Sequence, residues 1–96
     1  MLKIQRLNDT IVQISGRFDA SQVETAEEVL DRVTASLELD CQNLEYISSA
    51  GIGVLLGTFK RLHQTGQTLA MTNVNPRIRQ VFKYAGLDRV FRIEGS

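Results

Sequence analysis

The sequence predicts an α/β domain: a mixed, mostly parallel sheet of about five strands with helices packed mainly on one face. Three observations lead there. From the second strand-like segment onward the apolar pattern switches between a period of two and a period near 3.6, in the order strand, helix, strand, helix, strand, helix, strand. That order suits a parallel sheet joined by right-handed crossovers. The strand segments alternate apolar with polar residues, as in Leu37-Glu38-Leu39-Asp40-Cys41-Gln42. A doubly wound sheet needs strands apolar on both faces, so one face here is expected to stay wet. Finally, a short alternating segment precedes the repeat and supplies an antiparallel hairpin or edge pair.

In chain order, Leu2 and Ile4 alternate with Lys3 and Gln5, and Asn8-Asp9 offers turn residues before Ile11, Val12 and Ile14. Gly16-Arg17-Phe18-Asp19-Ala20 is expected to break that strand. Ser21-Gln22-Val23-Glu24 then matches a capping box opening a helix with Val23, Ala26, Leu30 and Val33 on its dry stripe and Glu24, Glu27, Glu28, Asp31 and Arg32 on its wet side. The next strand is read over Leu37 to Gln42, with Cys41 as a small core residue. After the central helix, Gly66 is placed as a C′ glycine, and Thr68 to Val74 forms a strand. Asn75-Pro76 provides N-cap and N1 of a third helix that buries Ile78, Val81, Phe82 and Ala85 and ends at Gly86. Val90 to Ile93 is the last short strand.

The centre of the chain is Tyr46-Ile47-Ser48-Ser49-Ala50-Gly51-Ile52-Gly53-Val54-Leu55-Leu56-Gly57. Ile52, Leu55, Leu56, Phe59 and Leu62 fall at helical spacing, so a loop opens directly onto an amphipathic helix, and Ser48 and Ser49 are both N-cap candidates. Unpaired N–H groups and the positive end of the helix dipole favour negative charge there, so the fold would tolerate a phosphoryl group on such a hydroxyl. Simple capping remains open beside that reading. Gly53 and Gly57, four apart, suggest a smooth ridge for close approach by another chain or element, since each costs about 1 kcal/mol of helix propensity relative to Ala. In a sheet of this type, loops at the carboxyl ends of the strands gather on one edge. Asp19, Ser48, Ser49, Asn73 and Asn75 are therefore expected to be neighbours.

Composition narrows the function. The 96 residues make one domain, 1–96, long enough to bury something over ~60% of the unfolded surface. Eleven basic and eleven acidic residues cancel, which leaves no general field to attract nucleic acid or an anionic membrane. One cysteine and no apolar leader suggest a reducing, cytoplasmic setting with no membrane insertion. A serine hydrolase would need a base beside Ser49, yet His63, the one histidine, is fourteen residues along the same helix, about 21 Å away at ~1.5 Å per residue. Gly51, Gly53 and Gly57 lack the following acid and the domain length of a dinucleotide fingerprint. One His and one Cys build no zinc or iron site of recognised spacing. Lys60, Arg61, Arg77, Arg79 and Lys83 form basic helix faces without interleaved aromatics. No cofactor and no enzymatic activity is expected.

The central motif resembles the Asp-Ser-Ser/Thr-Gly-Leu-Gly signature of STAS domains, the family of anti-sigma factor antagonists. Ser49 aligns with the phosphorylated position, Ala50 with the second hydroxyl, and Gly51-Ile52-Gly53 with Gly-Leu-Gly, while Ser48 stands where the family has aspartate. The Gly-x-x-Asp ending at Asp19, the segment Asn75 to Phe82 and the segment Ala85 to Phe91 are similar to further parts of the family pattern, so the resemblance covers nearly the whole chain. It implies a sheet with helices on one side and no activity of the domain's own. It also implies that the unphosphorylated protein binds an anti-sigma factor serine kinase of the histidine-kinase-like ATPase fold and frees the sigma factor, that phosphorylation of Ser49 ends binding, and that a serine phosphatase resets it. Asp19 and Ser48 would shape the acceptor site, with Ile52, Gly53 and Gly57 adding contact area. The alternative, suggested by Ser48 in the aspartate position, is a non-phosphorylated STAS scaffold or transporter-regulating interaction module.

Overall fold

The computed structural model describes residues 2–95. Its elements run β1 (Leu2–Arg6), β2 (Ile11–Phe18), a 3-10 turn (Ala20–Gln22), α1 (Val23–Leu30), β3 (Leu37–Ile47), α2 (Ser49–Gln64), β4 (Leu69–Val74), α3 (Pro76–Tyr84), a second 3-10 turn (Leu87–Arg89) and β5 (Arg92–Gly95). The five strands lie in sequence order. β1 is antiparallel to β2 and every later pair is parallel. The alternation read from the sequence sets the layers: Val12, Ile14 and Phe18 of β2, Leu37, Leu39, Cys41, Leu44 and Ile47 of β3, and Leu69, Met71 and Val74 of β4 are buried. Between them Gln13, Glu38, Gln42 and Thr72 stay half-buried or exposed on the wet face. Over the dry face, Ala26 and Leu30 of α1, Leu55 and Leu62 of α2, and Ile78 and Phe82 of α3 complete the core.

Several boundaries differ from the sequence reading for identifiable reasons. Gly16 does not end β2; at φ 85° it sits beside a register shift, and the strand continues to Phe18. β3 runs five residues past Gln42, because two register shifts against β2 absorb the consecutive polar residues that look like a loop in the sequence. The Ser21–Glu24 capping box does not form. Asp19 caps the 3-10 turn instead, accepting from the Ser21 backbone N–H and hydroxyl, and α1 starts behind Gln22 with no side-chain cap. Ala85 is the exposed C-cap of α3 and adds nothing to the core. The last strand begins at Arg92, after a 3-10 turn that leaves Val90 exposed and seats Phe91 edge-on against Phe59 and Phe82.

Both expected glycine stops are present. Gly66 (φ 77°) closes α2 with Gly66 N–H donating to His63 O and Gln67 N–H to Leu62 O, the Schellman pattern. At α3, Asn75 accepts from the Ile78 N–H with Pro76 behind it, as the sequence indicated. Arg61, grouped with the basic surface by sequence, is tied into the fold: its guanidinium donates to Leu30 O at the end of α1 and to Val33 O in the segment that follows, both at 2.7 Å, and so fastens the exit of α1 to α2.

Candidate functional site

The candidate site is the mouth of α2. Ser48 has extended backbone (φ −87°, ψ 171°), and its hydroxyl accepts from the Gly51 N–H at 3.2 Å, which makes it the N-cap. Ser49 follows as the first helical residue and is exposed; the cap falls to its neighbour's hydroxyl. A free hydroxyl thus stands among the unpaired N–H groups of a sixteen-residue helix that has no acidic residue in its first turn.

Backbone contacts hold this mouth against the end of β2. The Ser48 N–H donates to Phe18 O at 2.9 Å, directly before Asp19. Gly51 lies buried in the same corner, where a Cβ would stand 2.8 Å from Ile47 Cγ1 and 3.0 Å from Phe18 O. The sequence points to Gly53 and Gly57 for close approach by another chain or element. Both are exposed, with nothing within 4 Å of a Cβ, so no other element of the described fold meets them. Gly51 is the tight glycine, and only the tertiary arrangement distinguishes it from Gly53. Ile52 is half-buried behind Ser49.

Asp19 is half-buried one residue beyond Phe18. The Ser21 hydroxyl donates to it and holds its carboxyl below the ordinary value of 3.8, helped by the Ser21 N–H and by the charge of Arg17. On the wet face beside this edge the Arg17 guanidinium lies 4.4 Å from the ring centroid of Tyr46. That pairing went unseen in the sequence, since it depends on a register shifted twice along β3.

The other two loop residues sit lower. β4 pairs with β3 only along Leu37–Asp40, so Asn73 and Asn75 reach Asp40 and Leu44 while β3 runs on to the serines. Asn73 adopts φ 53°, its amide donating to Asp40 Oδ1 at 3.2 Å. Asn75 donates to Leu44 O at 2.8 Å, and α3 thereby borders β3 where β4 stops. An open groove of about 750 Å³ lies there, between Ser15, Asn43 and Glu45 on one side and Asn75 and Arg77 on the other. Asp19, Ser48 and Ser49 therefore share one corner, and Asn73 and Asn75 do not.

At the opposite end of α2, His63 is exposed and stacks on Phe59. Cys41 is fully buried, its thiol pushed up to about 12 chiefly by burial and secondarily by the Asp40 charge. Among the described residues no group of three or more His, Cys, Asp or Glu side chains is placed to hold a metal ion, and no helix is long and apolar enough to cross a membrane.

A mixed, mostly parallel sheet with its helices over one face and a serine-tipped central helix at its carboxyl edge places the molecule among one-faced α/β domains. More narrowly, the chain belongs to the STAS domain family, whose model matches residues 1–96. It is 31% identical over 90 residues to the anti-sigma-B factor antagonist of Staphylococcus aureus, covering 88% of this chain and 83% of that one. To the anti-sigma F factor antagonist of Paenibacillus polymyxa it is 30% identical over 88 residues, covering 86% and 75%. Among solved structures it superimposes on the anti-sigma factor antagonist SpoIIAA in its unphosphorylated form with a TM-score of 0.78 at 19% identity, over 100% of this chain and 89% of the other. For the phosphorylated form of the Bacillus cell-fate determinant SpoIIAA the TM-score is 0.71, again at 19% identity, over 100% and 92%.

Proposed function

We propose that this protein is an anti-sigma factor antagonist: unphosphorylated, it binds an anti-sigma factor serine kinase of the histidine-kinase-like ATPase fold and frees the sigma factor, and phosphorylation of Ser49 ends that binding. The observation that carries the reading is the division of labour between two adjacent serines. Ser48 supplies the cap, so Ser49 is left exposed at the positive end of α2 with no part in closing the helix. A phosphoryl group there adds about −1.5 to −2 charge, which the helix dipole accommodates, while a partner surface packed against the mouth meets repulsion and desolvation. ATP belongs to the kinase, and a serine phosphatase restores the hydroxyl. Asp19, pinned by Ser21, and Ser48 shape the acceptor corner. Ile52 and the bare positions Gly53 and Gly57 give the partner room to lie close along α2. The names of the relatives at 30 and 31% identity support the same reading.

A second reading has one observation in its favour. Ser48 stands in the signature's aspartate position and is occupied as a cap, which suits an interaction module that is never phosphorylated. Binding of Ser49→Asp to the cognate kinase separates the two. The switch predicts affinity weakened tenfold or more, about 1.4 kcal/mol or above; unchanged affinity supports the scaffold.

A further inference from the structure

The two outer helices carry opposite charge. α1 and the residues just after it turn Glu24, Glu27, Glu28 and Asp31 to solvent, with Arg32 alone against them. α3 turns Arg77, Arg79 and Lys83 to solvent and contains no acidic residue. The zero net charge is therefore two opposed poles. They lie toward opposite ends of the sheet: α1 packs on α2 and the edge strand β1, whereas α3 packs on β3 and, less, on the other edge strand β5, and the two helices do not pack on each other. Among the described residues the ion pairs are Arg6–Asp9 and Arg92–Glu94, so no side chain of either pole is in an ion pair within its own chain, with Asp88 the one carboxylate bordering the basic pole's hollows. Like charges even recur at i,i+4, in Glu24 and Glu28, Glu27 and Asp31, and Arg79 and Lys83, each pair working against its own helix.

The basic pole is also shaped. Hollows of about 310 and 300 Å³ flank Arg79 and Lys83, one bounded by Asp88 and Ile93 and the other by Pro76 and Gln80. Beside them Tyr84 is 90% exposed. Tyrosine and arginine are enriched at protein interfaces, while lysine and glutamate are depleted there, and the charges an interface does carry are arranged to be complementary. We propose that the α3 face is a docking surface for a second copy of this chain, whose α1 is the occupant. The dimensions agree: the acidic residues extend over about 10.5 Å of helix and the basic ones over about 9 Å, at ~1.5 Å per residue. Since the poles are at opposite ends, the contact is head-to-tail and each copy keeps one pole free, so association is not confined to pairs. One short helix against another covers little area, which makes the contact weak and dependent on ionic strength. Ser49 lies on neither helix, and the inference stands apart from the proposed function.

Sedimentation of the full chain tests it. In about 0.01 M salt, where the Debye length is about 30 Å, the average mass is expected to rise above the monomer with protein concentration, and to return to the monomer in about 1 M salt, where it is about 3 Å. The variants Arg79→Glu/Lys83→Glu and Glu27→Lys/Glu28→Lys should each be monomeric in low salt, with circular dichroism confirming that they fold. Their equimolar mixture should associate again, because one then has two acidic ends and the other two basic ends. A wild type that stays monomeric in low salt, association that survives high salt, or a mixture that remains monomeric overturns the proposal.

Discussion

Gly51 and Gly53 are two residues apart in one helix, and alanine has opposite consequences at each. At Gly51 a methyl group meets Ile47 Cγ1 at 2.8 Å and the backbone oxygen of Phe18 at 3.0 Å. Backbone cannot step aside cheaply, so Gly51→Ala should destabilise by about 1–3 kcal/mol, as overpacking does. Gly53 and Gly57 have open space, and alanine at either should stabilise by about 0.5–1 kcal/mol through helix propensity. Denaturant midpoints at constant slope measure both effects. If Gly53 and Gly57 serve close approach by a partner, the same alanines should raise stability and weaken partner binding together. The two serines separate in the same way: Ser48→Ala removes a cap worth about 1 kcal/mol, whereas Ser49→Ala should stay within about 0.5 kcal/mol of the wild type. For Asp19 the sign follows from its lowered folded-state value: its contribution to stability is complete above the ordinary 3.8 and fades as pH falls through the lower value. Asp19→Asn should remove that acid-side dependence. At this scale the sequence was informative about residue type but not about roles, because a one-residue difference in where the helix begins decides which serine caps, and an approach from β2 decides which glycine is crowded.

Among the elements, α1 depends most on its neighbours. It is eight residues long, has no side-chain N-cap, and is tied to α2 by Arg61, which donates at 2.7 Å to Leu30 O at its end and to Val33 O just beyond it. A hydrogen bond from a charged donor is worth about 1.5–3 kcal/mol, so Arg61→Ala should cost at least the lower part of that range, read as a lowered denaturant midpoint. By contrast Lys60→Ala, one residue earlier and exposed, should change little. β3 makes a second prediction through Cys41. A fully buried thiol with its pKa near 12 should not react with an aromatic disulfide reagent in the native state, and should react fully once the chain is unfolded. The alternation of Leu37, Leu39 and Cys41 made this strand and its buried side legible, and Asn75-Pro76 fixed the start of α3. What stayed hidden were features made between elements. Asn43 to Tyr46 resembles a loop until β2 pairs with Asn43, Leu44 and Tyr46 through two register shifts that pass over Gln42 and Glu45, and Arg61 resembles surface charge until the end of α1 lies beside it.

For the whole molecule, the mostly parallel pairing and the bare wet face were contained in the periodicity, since strands alternate with helices and each strand has one apolar side, whereas the sequential order of the strands across the sheet comes from the structure. So does the stagger of the sheet. β4 is short, so the loop at its carboxyl end stops level with the middle of β3, and the serines project past it beside the end of β2 and Asp19. A partner reaching Ser49 therefore meets the mouth of α2, the end of β2 and the exposed flank of α2, and the account predicts that this corner governs binding. Incubation with the cognate anti-sigma kinase and ATP, followed by phosphosite mapping by mass spectrometry, tests this most directly. One phosphate on Ser49, absent from a Ser49→Ala protein of unchanged stability, is the predicted result; phosphate on another residue, placed equally well on Ser49→Ala, would contradict it.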